Sequence, residues 1–210
     1  MTPLVISLGR RCGVAWQIRR RFNDSAAFPF DWLVTPLPAI TQLVIDGFDH
    51  IADNLEAVDC GPVGWTIYNP EYRLYLHHDF PRDRSGLFTA DWRSHTKNVA
   101  DKYRFVGQRF LETIRKAPSA TFVRQDGDFQ MPGETPVYTP NAQYSDLIDA
   151  LQSRMIASPR LILLNCAYTS ADSRIITERV AAPTAEEIPD RTEIWRGSTI
   201  AYDAVFDRIF

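Results

Sequence analysis

The sequence predicts an α/β fold, with a mostly parallel sheet carrying helices on both faces. Two observations lead there. Three short apolar runs, Leu4–Leu8, Ala120–Arg124 and Arg160–Leu164, read as strands buried on both sides. Long segments with helical spacing separate them, which is how parallel strands are joined. With 210 residues, no repeat and no linker composition, the expectation is a single domain spanning 1–210.

The elements follow in order. Leu4-Val5-Ile6-Ser7-Leu8 ends at Gly9, and a helix runs from about Cys12 to Phe22, with Val14, Ala15 and Ile18 on its apolar side. The block Phe28-Pro29-Phe30-Asp31-Trp32-Leu33 comes next. A helix starts near Pro36 or Pro38, where proline suits a first turn, and stops at Gly47. Gly61 to Gly64 reads as a turn. Trp65–Tyr68 and Tyr72–Leu76 are expected to pair as a hairpin across Asn69-Pro70-Glu71. Thr96–Lys116 is a long helix, with Val99, Tyr103, Val106, Phe110 and Ile114 on one face. After the strand at 120–124, a Gly- and Pro-containing loop covers Asp126–Pro140. A helix over about Asn141–Met155 precedes the strand at 160–164. Strand-like pieces near Ile175 and Ile194 and a last helix from about Tyr202 complete the chain.

Charge and composition narrow the functional classes. A net charge of −3 gives no general attraction to nucleic acid or to an anionic membrane. No stretch approaches the ~18 apolar residues of a membrane helix, and the apolar start is too short for a signal peptide. Three widely spaced cysteines, Cys12, Cys60 and Cys166, make neither a disulfide framework nor a zinc pattern. The expectation is a cytoplasmic protein that needs no metal and no organic cofactor.

Ser7-Leu8-Gly9-Arg10-Arg11-Cys12 is a strand–turn–helix junction, which falls at the C-terminal edge of the sheet where open α/β folds bind ligands. A thiol there lies close to unpaired backbone N–H groups and the positive helix end. With flanking arginines, this predicts a thiol pKa lowered toward ~7 and an oxyanion-binding turn. Ser7, Gly9, Arg10, Arg11 and the later Arg124 are the candidate substrate-binding residues. A packing role is the competing reading of Cys12, and it is the one adopted for Cys60 and Cys166. Among four histidines, His50 and His95 read as surface residues. His77 and His78 end a strand, so only one of them can face a given side. Asp31, Asp79 and Asp126 are rival orienting acids.

Ile6-Ser7-Leu8-Gly9-x-x-Cys12, Phe28-Pro29-Phe30-Asp31-Trp32-Leu33 and His78-Asp79-Phe80, with Arg124 on a later strand, together resemble a bacterial family of papain-like cysteine peptidases of unknown function. The resemblance implies Cys12 as nucleophile, His78 as base, and Asp31 or Asp79 as the acid. It also implies a papain-like α+β fold, whereas the strand–helix alternation points to a three-layer Rossmann-like or SGNH-hydrolase-like sheet. The leading functional expectation is a cysteine-dependent hydrolase or acyltransferase acting on a peptide, isopeptide or ester bond, with a small-molecule or peptide substrate as its partner. The alternative is an anion- or phosphate-ligand module, or a group-transfer enzyme, in which Arg10, Arg11, Arg19 and Arg124 clamp phosphate. A sugar-binding scaffold lined by the tryptophans and tyrosines is a third reading.

Overall fold

The computed structural model describes residues 3–23, 26–60, 64–126, 141–166, 168 and 170–210. Four strands, β1 (Leu4–Ser7), β5 (Ala120–Gln125), β6 (Pro159–Leu164) and β7 (Ile175–Glu178), form one parallel sheet in the order β1-β5-β6-β7. A second, antiparallel sheet holds β2 (Glu56–Asp59), β3 (Trp65–Asn69) and β4 (Leu74–Leu76). The helices are α1 (Cys12–Phe22), α2 (Leu37–Asp46), α3 (Thr96–Lys116), α4 (Asn141–Arg154) and α5 (Thr199–Ile209). The fold is α/β with a mostly parallel sheet, as the alternation of apolar runs predicts.

Side-chain alternation along the parallel strands explains the layers. Ile6, Leu8, Phe122, Leu161 and Leu163 pack into a core shared with α2, α3, α4 and the small antiparallel sheet. Val5, Val123, Ile162 and Leu164 point the other way, onto Val14 and Ile18 of α1 and Tyr202, Val205 and Phe206 of α5. Both faces are thus covered, which accounts for the unbroken apolar runs. The strand order runs straight from β1 to β7, without the reversal of a doubly wound Rossmann sheet. The strand–turn–helix junction that carries Cys12 therefore lies at an edge strand.

Element boundaries follow local chemistry closely. Asn23 closes α1 in the left-handed region, and Gly47 ends α2. The Asn69 side chain holds the hairpin turn, accepting from the Tyr72 N–H at 2.9 Å and donating to the carbonyls of Ile51 and Asp53. Two expectations are corrected. The segment around Ile194 is a 3-10 helix, Arg191–Arg196, started by the Asp190 side chain accepting from the Thr192 N–H. Strand β2 escapes pattern reading because its side chains are only partly covered, leaving no clean apolar alternation. The final helix begins earlier than Tyr202 because the Ser198 hydroxyl caps it, accepting from the Ala201 N–H at 3.0 Å. The turn expected at 61–64 lies outside the described residues except for Gly64, as does the 126–140 loop beyond Asp126.

Arg124 is the largest fully buried side chain. Its Nη1 donates to the Leu8 carbonyl at 3.0 Å and its Nη2 to the Thr35 carbonyl at 2.9 Å. Its Nε reaches both Asp126 oxygens at 2.9 Å. The Tyr144 hydroxyl donates to Asp126 at 2.9 Å, and Arg10 stands 3.7 Å from the same carboxylate. Removing one partner of such a network leaves a buried charge or carbonyls unsatisfied. Arg124→Met is expected to lower unfolding stability by about 3–5 kcal/mol in urea titration. A loss under about 1 kcal/mol would show that this network is not structural.

Candidate active site

The site is assembled from three segments brought together by backbone contacts. Chain geometry at the end of β1 is tight: Gly9 and Arg10 both take left-handed φ values, 73° and 66°. The Ser7 hydroxyl accepts from the Gly9 N–H at 3.2 Å. A Cβ on Gly9 would stand 2.7 Å from the Phe30 carbonyl oxygen, so the Phe28–Leu33 block packs directly on this turn. The Arg10 N–H donates to the Leu33 carbonyl at 3.0 Å. One residue further on, Val34 bridges Tyr75 of β4, whose N–H donates to the Val34 carbonyl at 3.1 Å. Strand β4 then delivers His77 and His78 over the start of α1.

The outcome is a thiol–imidazole pair. Cys12 Sγ lies 3.9 Å from His78 Nε2, at the first residue of α1. Its partly buried position contrasts with the exposed imidazole. His77 meets the His78 ring edge-to-face with centroids 5.0 Å apart, and its Nδ1 lies 3.3 Å from the Arg82 guanidinium. Both histidines lie in the turn that follows β4, so the opposite facing expected of successive strand residues is corrected. Trp32 meets the His78 ring edge-to-face with centroids 6.0 Å apart, and the Arg19 guanidinium lies over Trp32 at 5.6 Å.

The two acids have different surroundings. Asp31 is buried; its Oδ2 accepts from Arg19 at 2.6 Å and from the Phe28 N–H at 2.9 Å, tying the aromatic block to α1. The Asp79 side chain is fully covered, with Lys102 at 2.5 Å and the Tyr103 hydroxyl at 3.0 Å on its two oxygens. That anchors the His78 segment to α3. Lys102 and Tyr103 carry no signal in the sequence that pairs them with Asp79.

Protonation differs from the expectation of a lowered thiol pKa. Burial pushes the Cys12 thiol above its ordinary value; its own backbone N–H opposes this, and the Asp31 carboxylate adds to the rise. The helix start is present, but desolvation of the thiolate outweighs it. His78 is shifted down, chiefly by burial, with Arg82 and Lys102 acting the same way and Asp79 opposing them. His77 is pushed down to about 4 by burial, Arg82 and His78. At neutral pH the pair is a thiol beside a neutral imidazole.

The remaining candidate residues are scaffolding or flank. Ser7 is buried within the turn. Arg124 faces the interior and holds the Leu8 carbonyl, so it positions the Cys12 junction from below. Arg10, Arg19 and Arg124 each face a carboxylate, Asp126 or Asp31, which leaves the phosphate-clamp reading without support from these three. Arg11 precedes the thiol at the N-cap of α1. Arg20 and Arg21 bind Asp203 and Asp207 of α5. His50 and His95 are on the surface, paired with Asp53 and Asp91. Cys60 is buried, and Cys166 meets the Tyr144 hydroxyl at 3.1 Å. Among the described residues no group of three or more His, Cys, Asp or Glu is placed to hold a metal, and no helix is long and apolar enough to cross a membrane.

An uncharacterized protein, R408, of Acanthamoeba polyphaga mimivirus is 22% identical over 191 residues, covering 80% of this chain and 79% of its own length. No solved structure matches. Residues 3–137, which carry Cys12, His78 and both acids, match the model of a family described as "Putative papain-like cysteine peptidase (DUF1796)", and the chain belongs to that family.

Proposed function

We propose that the protein is a cysteine-dependent hydrolase or acyltransferase, with Cys12 as nucleophile and His78 as general base. The observation that carries this reading is the 3.9 Å approach of Cys12 Sγ to His78 Nε2. That separation is long for a sulfur hydrogen bond and is of the kind that tightens when a substrate closes the site.

The protonation states suggest how the pair works. A neutral imidazole accepts the thiol proton as Sγ forms its bond to the substrate carbonyl carbon, so charge develops only as the reaction proceeds. The carbonyl oxygen gains negative charge beside the first turn of α1, where the N–H groups of Cys12 and Gly13 have no intrahelical acceptor. Collapse of this intermediate breaks the bond to the leaving amine or alcohol, which takes the proton from His78. Water, or an acceptor amine or alcohol, then attacks the thioester with His78 again as base; the carbon–sulfur bond breaks, and the Cys12 sulfur takes the proton back from His78. The scissile bond is a peptide, isopeptide or ester. Asp79 acts through His78 as a positioning residue, fixed by Lys102 and Tyr103, while Asp31 holds the loop that carries Trp32.

Two outcomes test this. With a panel of activated esters and peptide amides, Cys12→Ala is expected to abolish turnover and His78→Ala to lower kcat/KM about 10²–10⁴-fold, both variants retaining native circular dichroism. Turnover undiminished in Cys12→Ala would end the proposal. The pH dependence follows from the two shifts. Protonation of His78 removes the base, so the acid limb of kcat/KM is expected below the ordinary histidine value of 6.5. Iodoacetamide labelling of Cys12, followed by mass spectrometry, is expected to have its midpoint above the ordinary thiol value of 9.0. A midpoint near pH 7 would instead mean a resting thiolate–imidazolium pair.

A further inference from the structure

The thiol–imidazole pair stands at one end of a row of indole rings. Beyond Trp32, which touches His78, lies Trp195, with ring centroids 6.4 Å apart. Trp195 and its neighbour Ile194 stay 40% and 59% exposed. Both belong to the 3-10 helix Arg191–Arg196, outside the residues that match the family model.

This apolar surface is firmly held. Gln17 of α1 is fully buried, and its Nε2 donates to the Arg196 carbonyl at 2.9 Å and the Gly197 carbonyl at 3.3 Å. Next to the thiol, Gly13 lets the Trp195 carbonyl pack directly on the α1 backbone; a Cβ there would collide with that oxygen. The Arg196 guanidinium lies over both Trp16, at 5.1 Å, and Trp195, at 5.5 Å. A buried glutamine and a glycine contact thus fix the backbone that carries Trp195 against the start of α1, while Trp195 keeps much of its surface in water. Leaving so much ring exposed forgoes apolar burial, which a ligand packing on the ring would recover.

We propose that Trp195, together with Trp32, forms the apolar wall of the acyl site and selects substrates with a flat apolar group, an aromatic ring or a branched aliphatic chain, close to the carbonyl attacked by Cys12. The inference rests on the thiol–imidazole reading of the site and adds its substrate class. Trp32 borders the His78 ring itself, so a group packed on this wall lies close along the substrate to the attacked carbonyl.

Competing alkylation of the full chain by iodoacetamide and N-benzyl iodoacetamide tests this, with the Cys12 peptide quantified by mass spectrometry and glutathione as reference. The benzyl preference of Cys12 is expected to exceed that of glutathione by about tenfold, the worth of one aromatic contact. Trp195→Ala should bring it to within about twofold of glutathione, and Trp195→Phe should retain most of it. A wild-type ratio equal to that of glutathione overturns the proposal, even if Trp195→Ala fails to fold. So does a ratio unchanged in a natively folded Trp195→Ala. His78→Ala separates the two readings: it should alter the rate and pH dependence of both reagents while preserving the benzyl preference. Cys12 reactivity indifferent to His78 rejects the base, whereas loss of the preference alone rejects the wall.

Discussion

A guanidinium with no access to water is expensive unless it is paired and hydrogen-bonded, and each of the three Arg124 nitrogens donates to a different segment. It takes the Leu8 carbonyl at the end of β1, the Thr35 carbonyl before α2, and the Asp126 carboxylate beyond β5. Those are the segments that surround the Cys12 turn. The arginine therefore does from beneath what a substrate-binding arginine would do from above. It fixes where the strand stops and where the left-handed turn at Gly9 and Arg10 begins. The Phe28–Leu33 block can then close on that turn through the Leu33 carbonyl.

The chemistry of the thiol is a contest between two effects of the same location. The first turn of a helix favours a thiolate, but burial of the side chain removes water from it. Burial wins, and the neighbouring Asp31 carboxylate, needed to anchor the aromatic block, adds to the effect. His78, though the more exposed of the two, is shifted toward its neutral form by partial loss of water, with Arg82 and Lys102 nearby. A neutral pair avoids holding a charge-separated resting state in a partly dry site.

The family's description names papain, yet the architecture here is its own. A parallel strand leads straight into the helix that carries Cys12, and the sheet runs in simple sequential order. The dyad and its anchors lie within residues 3–137, while the 3-10 helix at 191–196 borders the site from outside that span. The thiol–imidazole pair and the surface next to it thus come from different parts of the chain, joined by Gln17 and Gly13 on α1.

Much of the scaffold is written in local pattern. The limits of α1 and α3, the three doubly buried strands and the β3–β4 hairpin follow from apolar spacing, turn residues and helix stops, because these depend on near neighbours in the chain. The choice of Cys12 as the focus likewise came from its place after a strand and a glycine, and the preference for His78 from the resemblance. What tertiary structure alone decided is each relation across long sequence separation. It turned Arg124 inward and Trp195 toward Trp32, and gave the Asp79 oxygens to Lys102 and Tyr103. It also reversed the expected shift of the Cys12 thiol, since desolvation depends on what packs above a residue and leaves no mark on its neighbours in the chain.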